Sequence, residues 1–136
     1  MPEFDFDHQL DPRMEIKYLL DFNQLKYTFE NGIFIMSFMQ EDFKWNTYIK
    51  TDSMTVHIYG TYEIYISDRS DLLEALNRLN ASIKAGCFYL DGNFIVHHTT
   101  VELYDVYYST EAIASAIEEN SSAVFYSHGK LRGSGV

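Results

Sequence analysis

Apolar and polar positions alternate most clearly over residues 54–67, MTVHIYGTYEIYIS. Met54, Val56, Ile58, Tyr62, Ile64 and Ile66 share one side with Gly60, while Thr55, His57, Tyr59, Thr61, Glu63 and Tyr65 share the other. A period of two belongs to a half-buried strand, so the segment is predicted as a long strand with one dry face and one aromatic, polar face. Gly60, bare in the middle of the dry face, predicts a bend, a bulge or the close approach of another element. From residue 70 the period lengthens. Leu72, Leu76, Leu79 and Ile83 recur at the spacing of a helical stripe that must cover a sheet, predicting a helix over about 70–84. Asp68 and Ser70 offer capping oxygens at its start, and Gly86 can supply a left-handed stop. Phe88 and Leu90 then alternate with Tyr89, Asp91-Gly92 predicts a two-residue turn, and Phe94, Ile95 and Val96 return as the second strand of a hairpin.

The flanking segments extend this pattern. Asp11-Pro12 reads as an N-cap with proline at the first helical position, and Met14, Ile16, Leu19 and Leu20 give the buried side of a helix to about Phe22, with Asn23 as its left-handed stop. Tyr27 and Phe29 alternate with Thr28 and Glu30, Asn31-Gly32 is a strong hairpin signal, and Ile33 to Met39 form an apolar strand. A polar loop over 40–44, a strand from Trp45 to Thr51 and a turn at Asp52-Ser53 follow. Beyond the hairpin, Val101 to Tyr108 extends the last strand or makes a short edge segment. Ser109 or Thr110 caps a third helix carrying Ile113, Ile117 and Val124. The fold class is α+β: one curved antiparallel sheet, a three-stranded meander plus a hairpin, with three helices in the order α-β-β-β-α-β-β-α. One domain over 11–127 is expected, between a flexible acidic lead (1–10) and a flexible glycine-bearing tail (128–136).

Composition narrows the partners. The 136-residue chain carries a formal charge of -10, and no lysine or arginine falls between Lys84 and Lys130, where Asp91, Glu102, Asp105, Glu111, Glu118 and Glu119 lie. Nucleic-acid affinity rests on basic side chains meeting phosphates, so nucleic acid and anionic membrane are not expected as partners. The acidity serves solubility, or provides a docking field for a basic segment of another protein. Cys87 is the single cysteine and cannot form an internal bridge, which favours a reducing, cytoplasmic setting. Eleven tyrosines and ten phenylalanines exceed what so small a core can hide. Aromatic side chains left on a sheet surface are cross-strand packing pairs or the anchors of a protein interface.

The run LLEALNRLNA at 72–81, followed by the Phe-x-Leu-Asp strand and turn at 88–91, resembles the YbjN family of proposed bacterial sensory transduction regulators. The order of elements resembles the class I type III secretion chaperone fold that this family shares. The likeness covers about residues 11–125 and places Leu72, Leu73, Leu76, Asn77, Leu79 and Asn80 on the family's second helix. It implies a non-enzymatic domain that holds other proteins, often as a homodimer built around that helix and its neighbouring strands. Neither group supplies catalytic or cofactor residues to carry over, so none is assigned.

Other chemistry finds little in the spacing. His97 and His98 point to opposite faces of a strand, so at most one can join His57, with Cys87 as a possible neighbour; no Cys-x-x-Cys or His-x-x-x-His occurs, and no metal is expected. Cys87 sits at a strand start among apolar residues, a setting that raises a thiol pKa, and is expected to be structural. The scattered glycines form no phosphate cradle. The candidate surface is His57, Tyr59, Glu63 and Tyr65 on the polar face of the long strand with Tyr48 beside it, joined by Leu73, Asn77 and Asn80 from the second helix. Its residues are cross-strand pairs, or they form a docking or dimer surface. The leading expectation is a YbjN-like regulator or adaptor acting by protein binding. A secretion-type chaperone holding an extended cargo segment is second, and a small-ligand-binding or enzymatic domain third.

Overall fold

The computed structural model describes residues 10–104 and 108–136. The acidic lead, apart from Leu10, lies outside the described residues, as do 105–107 of the segment expected to extend the last strand. The elements are α1 (Pro12–Phe22), β1 (Thr28–Glu30), β2 (Ile33–Gln40), β3 (Phe43–Asp52), β4 (Thr55–Glu63), α2 (Arg69–Ser82), β5 (Cys87–Asp91), β6 (Phe94–Glu102) and α3 (Ser109–Lys130). All six strands form one antiparallel sheet in the order β1-β2-β3-β4-β6-β5. The α+β architecture of the sequence reading is present, with the short β1 making the meander four-stranded.

Turn chemistry sets most of these boundaries. Asn31 and Gly32 adopt φ of 53° and 81°, as a type I′ hairpin requires. The expected loop at 40–44 is instead a second two-residue turn, in which Glu41 and Asp42 both take positive φ, 52° and 66°. Asp42 tolerates the left-handed region but Glu41 does not favour it, and the pairing of β2 with β3 from Phe34↔Ile49 to Gln40↔Phe43 imposes the conformation. The remaining two turns lie one residue later than read. Ser53 and Met54 join β3 to β4, and Gly92 and Asn93 join β5 to β6, because Asp52 and Asp91 are the last paired residues of their strands. Gln24, not Asn23, takes the left-handed conformation after α1. Helix α2 ends where Ile83 turns extended, and Gly86, with φ of 76°, shapes the loop beyond.

All three helices pack on one face of the sheet. Ile16 and Leu20 of α1 meet Phe34, Met36, Ile49, Val56, Ile58 and Ile113, and a second cluster joins Leu72, Ala75, Leu76 and Leu79 of α2 to Trp45, Tyr62, Phe88, Ile95 and Val124. Helix α3 runs between them and is longer than its apolar stripe suggests. Residues 128–136, expected as a frayed tail, extend α3 by its last turn, bury Leu131, and return the chain to the start of α2, where the Gly135 carbonyl accepts from Ser67 N at 2.8 Å. Three glycines and no period hid this docking from the sequence. The expected side-chain cap is also replaced, since Ser109 donates its hydroxyl to Glu15 of α1 while Tyr108 occupies the cap position.

Where α3 crosses β4, Gly60 meets Asn120. Pairing runs through Gly60 without a bulge on either side, so close approach, not a bend, explains the missing side chain. A β-carbon there would stand 2.3 Å from Asn120 Oδ1 and 2.6 Å from Val124 Cγ2. Gly60→Ala is therefore expected to cost about 3 kcal/mol in urea unfolding. Combining it with Asn120→Ala should recover part of that loss, because the two changes act on one contact.

Candidate functional site

With the helices on one side, the opposite face of the sheet carries no covering element among the described residues. The strand registers align its side chains in rows. Tyr48 faces Tyr59, which faces His98, which faces Cys87, and a parallel row holds Asn46, Thr61, Val96 and Tyr89. Rings stack at the middle of this face as a band: Tyr59 and His98 lie 4.3 Å apart at 8°, His57 of the adjacent row lies 5.1 Å from His98 at 19°, and Tyr48 flanks Tyr59 through strand pairing. Lys50 holds its ammonium 5.4 Å from the Tyr59 ring centre. Tyr48, Tyr59, Tyr89, Phe94 and Val96 line a shallow depression of ≈ 370 Å³ in this face, together with the charged Lys50 and Asp91.

His57 Nδ1 and His98 Nε2 are 2.9 Å apart. One nitrogen must donate and the other accept, so the bond survives in the neutral pair and with one added proton, but not with two. Burial, the neighbouring His57 and the Lys50 charge all hold the His98 pKa below the ordinary imidazole range. His97, one residue earlier, has a different occupation on the helix side. Its Nε2–H points to the Ala85 carbonyl at 3.2 Å, which leaves Nδ1 as an acceptor facing Asn120 Nδ2 at 3.1 Å and Thr99 Oγ1 at 3.3 Å. Asn120 Nδ2 also lies within bonding reach of His97 O, Thr99 Oγ1 and Ile58 O. This hub fastens α3 to both β4 and β6, and burial depresses the His97 pKa below the ordinary imidazole range.

The structure thus brings together Tyr48, His57 and Tyr59 and adds Lys50, Tyr89 and His98, which the sequence reading did not include in the surface. Glu63 shares the face but ends β4 away from the ring band. Tyr65 falls beyond the strand, 83% exposed, beside a separate crevice lined by Phe43, Trp45, Tyr62 and His128. Leu73 and Asn77 lie on the solvent side of α2, across the sheet. Asn80 is occupied internally: its amide donates to Phe88 O at 3.0 Å and accepts from Phe88 N at 2.6 Å. Cys87, expected among apolar neighbours, is exposed at the end of the ring band. Among the described residues, no group of three or more His, Cys, Asp or Glu is placed to share a metal ion. The pairing of His57 with His98 depends on β4 lying beside β6, a contact between strands 41 residues apart that local periodicity does not encode.

The fold defines a class: an α+β domain with three helices on one face of an antiparallel sheet and the other face bare among the described residues. The crystal structure of YbjN from E. coli, a proposed transcription regulator, superposes with a TM-score of 0.64 at 16% identity, over 80% of this chain and 82% of that one. Neither a protein-family model nor a curated protein matches the sequence. At this identity the likeness establishes the shared fold. No helix among the described residues is long and apolar enough to cross a membrane.

Two measurements check this local chemistry. Asn80→Ala strands both backbone groups of Phe88 and is expected to cost about 1–3 kcal/mol in urea unfolding, while Asn77→Ala, exposed on the same helix, costs little. His97, His98 and His128 all have depressed pKa values in the fold. Below the unfolded imidazole pKa the unfolded chain therefore binds more protons than the folded one, so stability falls as pH drops through about 6.5. Denaturation midpoints between neutral and mildly acidic pH should show this fall, and His97→Gln should flatten it.

Proposed function

We propose that this chain is a non-enzymatic protein-binding module, a regulator or adaptor of the YbjN kind, that engages its partner through the bare face of the sheet. The observation that carries the reading is the band Tyr48–Tyr59–His98, a row of rings held by backbone pairing on a rigid sheet and left open to solvent on one side. Such rings lose little conformational freedom on binding and offer large contact areas, which is why aromatic side chains anchor interfaces. Self-association is assigned to the other side of the molecule, where α2 leaves Leu73 44% exposed. This matches the homodimer implied by the resemblance at that helix.

Point variants separate these surfaces. Tyr59→Ala and Tyr48→Ala are expected to weaken partner capture by about tenfold or more while shifting stability by only about 1 kcal/mol. Tyr65→Ala, which lies off the face, should leave capture intact. Leu73→Lys should lower the mass seen in light scattering without affecting capture. Wild-type capture by the tyrosine variants, with the fold preserved in circular dichroism, would remove the face from the mechanism.

A further inference from the structure

The bare face also carries a charge pattern that specifies its occupant. The registers put five exposed carboxylates on it, Glu30, Asp52, Glu63, Asp91 and Glu102, against two lysines, Lys44 and Lys50. Their placement matters more than their number. Asp52 faces Thr55, which faces Glu102, at one end of the strands; Glu63 faces Phe94, which faces Asp91, at the other. The ring band lies between these two acidic ends, and the ≈ 370 Å³ depression runs from it to the second end, where Asp91 and Phe94 join its lining. Eight strand steps separate Thr55 from Glu63, a span of about 26 Å.

From this arrangement we propose that the occupant is a basic segment of a different protein, lying along β4 with cationic side chains at both ends and apolar or aromatic side chains over the ring band. The inference rests on the docking reading above and refines it. A second copy of the chain fits this face poorly, since it would bring the same five carboxylates against their own kind, and like charges juxtaposed across an interface cost affinity. A polyanion such as nucleic acid meets the same repulsion. The span between the acidic ends matches an extended segment of about nine residues. The acidic rim then steers encounter, and the rings supply most of the contact area.

The test uses the full chain and two labelled synthetic nonapeptides. One has two lysines at each end and alternating Val and Tyr between them, and the other replaces each lysine with glutamate. Fluorescence anisotropy should show the lysine peptide binding and the glutamate peptide not. Affinity should fall several-fold between about 50 and 300 mM salt. Reversing either acidic end, as Asp52→Lys with Glu102→Lys or Glu63→Lys with Asp91→Lys, should weaken binding by about tenfold, because all four side chains are exposed and their loss leaves the fold intact. Equal binding of both peptides, or indifference to both reversals, overturns the basic occupant; if Tyr59→Ala still weakens binding, docking on the face survives. No binding of the lysine peptide also overturns it. A dimer in light scattering that Tyr59→Ala dissolves would make this face a self-interface and equally defeat the inference.

Discussion

The crossing of α3 over β4 is the contact on which the rest of the molecule depends. Gly60 lacks a side chain so that Asn120 can sink its amide against the sheet, where it is fully buried and lies within reach of Ile58 O, His97 O and Thr99 Oγ1. A polar side chain at such depth is tolerated only when its donors are satisfied, and here the satisfaction comes from two different strands at once. The helix is thereby fixed in both position and rotation. Its fixed rotation brings Ile113 and Ile117 onto the cluster with α1, and Val124 and Leu131 onto the cluster with α2. Further along, Ser127 receives the hydroxyl proton of Tyr62 at 2.7 Å while donating its own to Val124 O, and burial lifts the Tyr62 pKa to about 12.

This one-sided packing creates the candidate face by default. Every helix is committed to the same side, so the alternating strands turn their remaining residues to a surface that no element among the described residues covers. On a central strand the natural occupants of such positions are β-branched and aromatic residues, which stabilise the sheet through cross-strand contact even without a partner. Tyr48, Tyr59 and His98 therefore have a structural reason to be present beside the binding role proposed for them. Stacking of Tyr59, His98 and His57 on one another holds the middle of the band in place, so the proposed partner would meet a surface already ordered.

The elements were legible in the sequence wherever the signal was local. Asp11-Pro12 starts α1 with the Asp11 carboxylate accepting from Arg13 N, Asp68 caps α2 by accepting from Asp71 N, and Asn31-Gly32 turns as read. Signals that depend on partners distant in the chain were not legible. Glu41 and Asp42 look like loop residues, and only the pairing of their flanking strands makes them a tight turn. The tail from His128 to Val136 has no period of its own and takes its place from the groove beside α2. Of the candidate site, the strand-borne members Tyr48, His57 and Tyr59 were found by alternation. Tyr89 and His98 were missed because β6 comes beside β4 only after α2 and β5 have intervened; Lys50 shares the alternation of Tyr48 on β3, and its charge set it apart from the aromatic positions. Asn80 was assigned to the surface on the strength of its helix position, and the backbone of Phe88 claims it.

That claim by Asn80 has a wider consequence. Phe88 belongs to β5, the outermost strand on its side, and the amide of Asn80 occupies one N–H and C=O pair through which a foreign strand would add itself. At the opposite margin β1 offers only three residues. Both borders of the sheet are thus poor templates for lengthening, which protects the protein from polymerising into a continuous cross-chain ribbon.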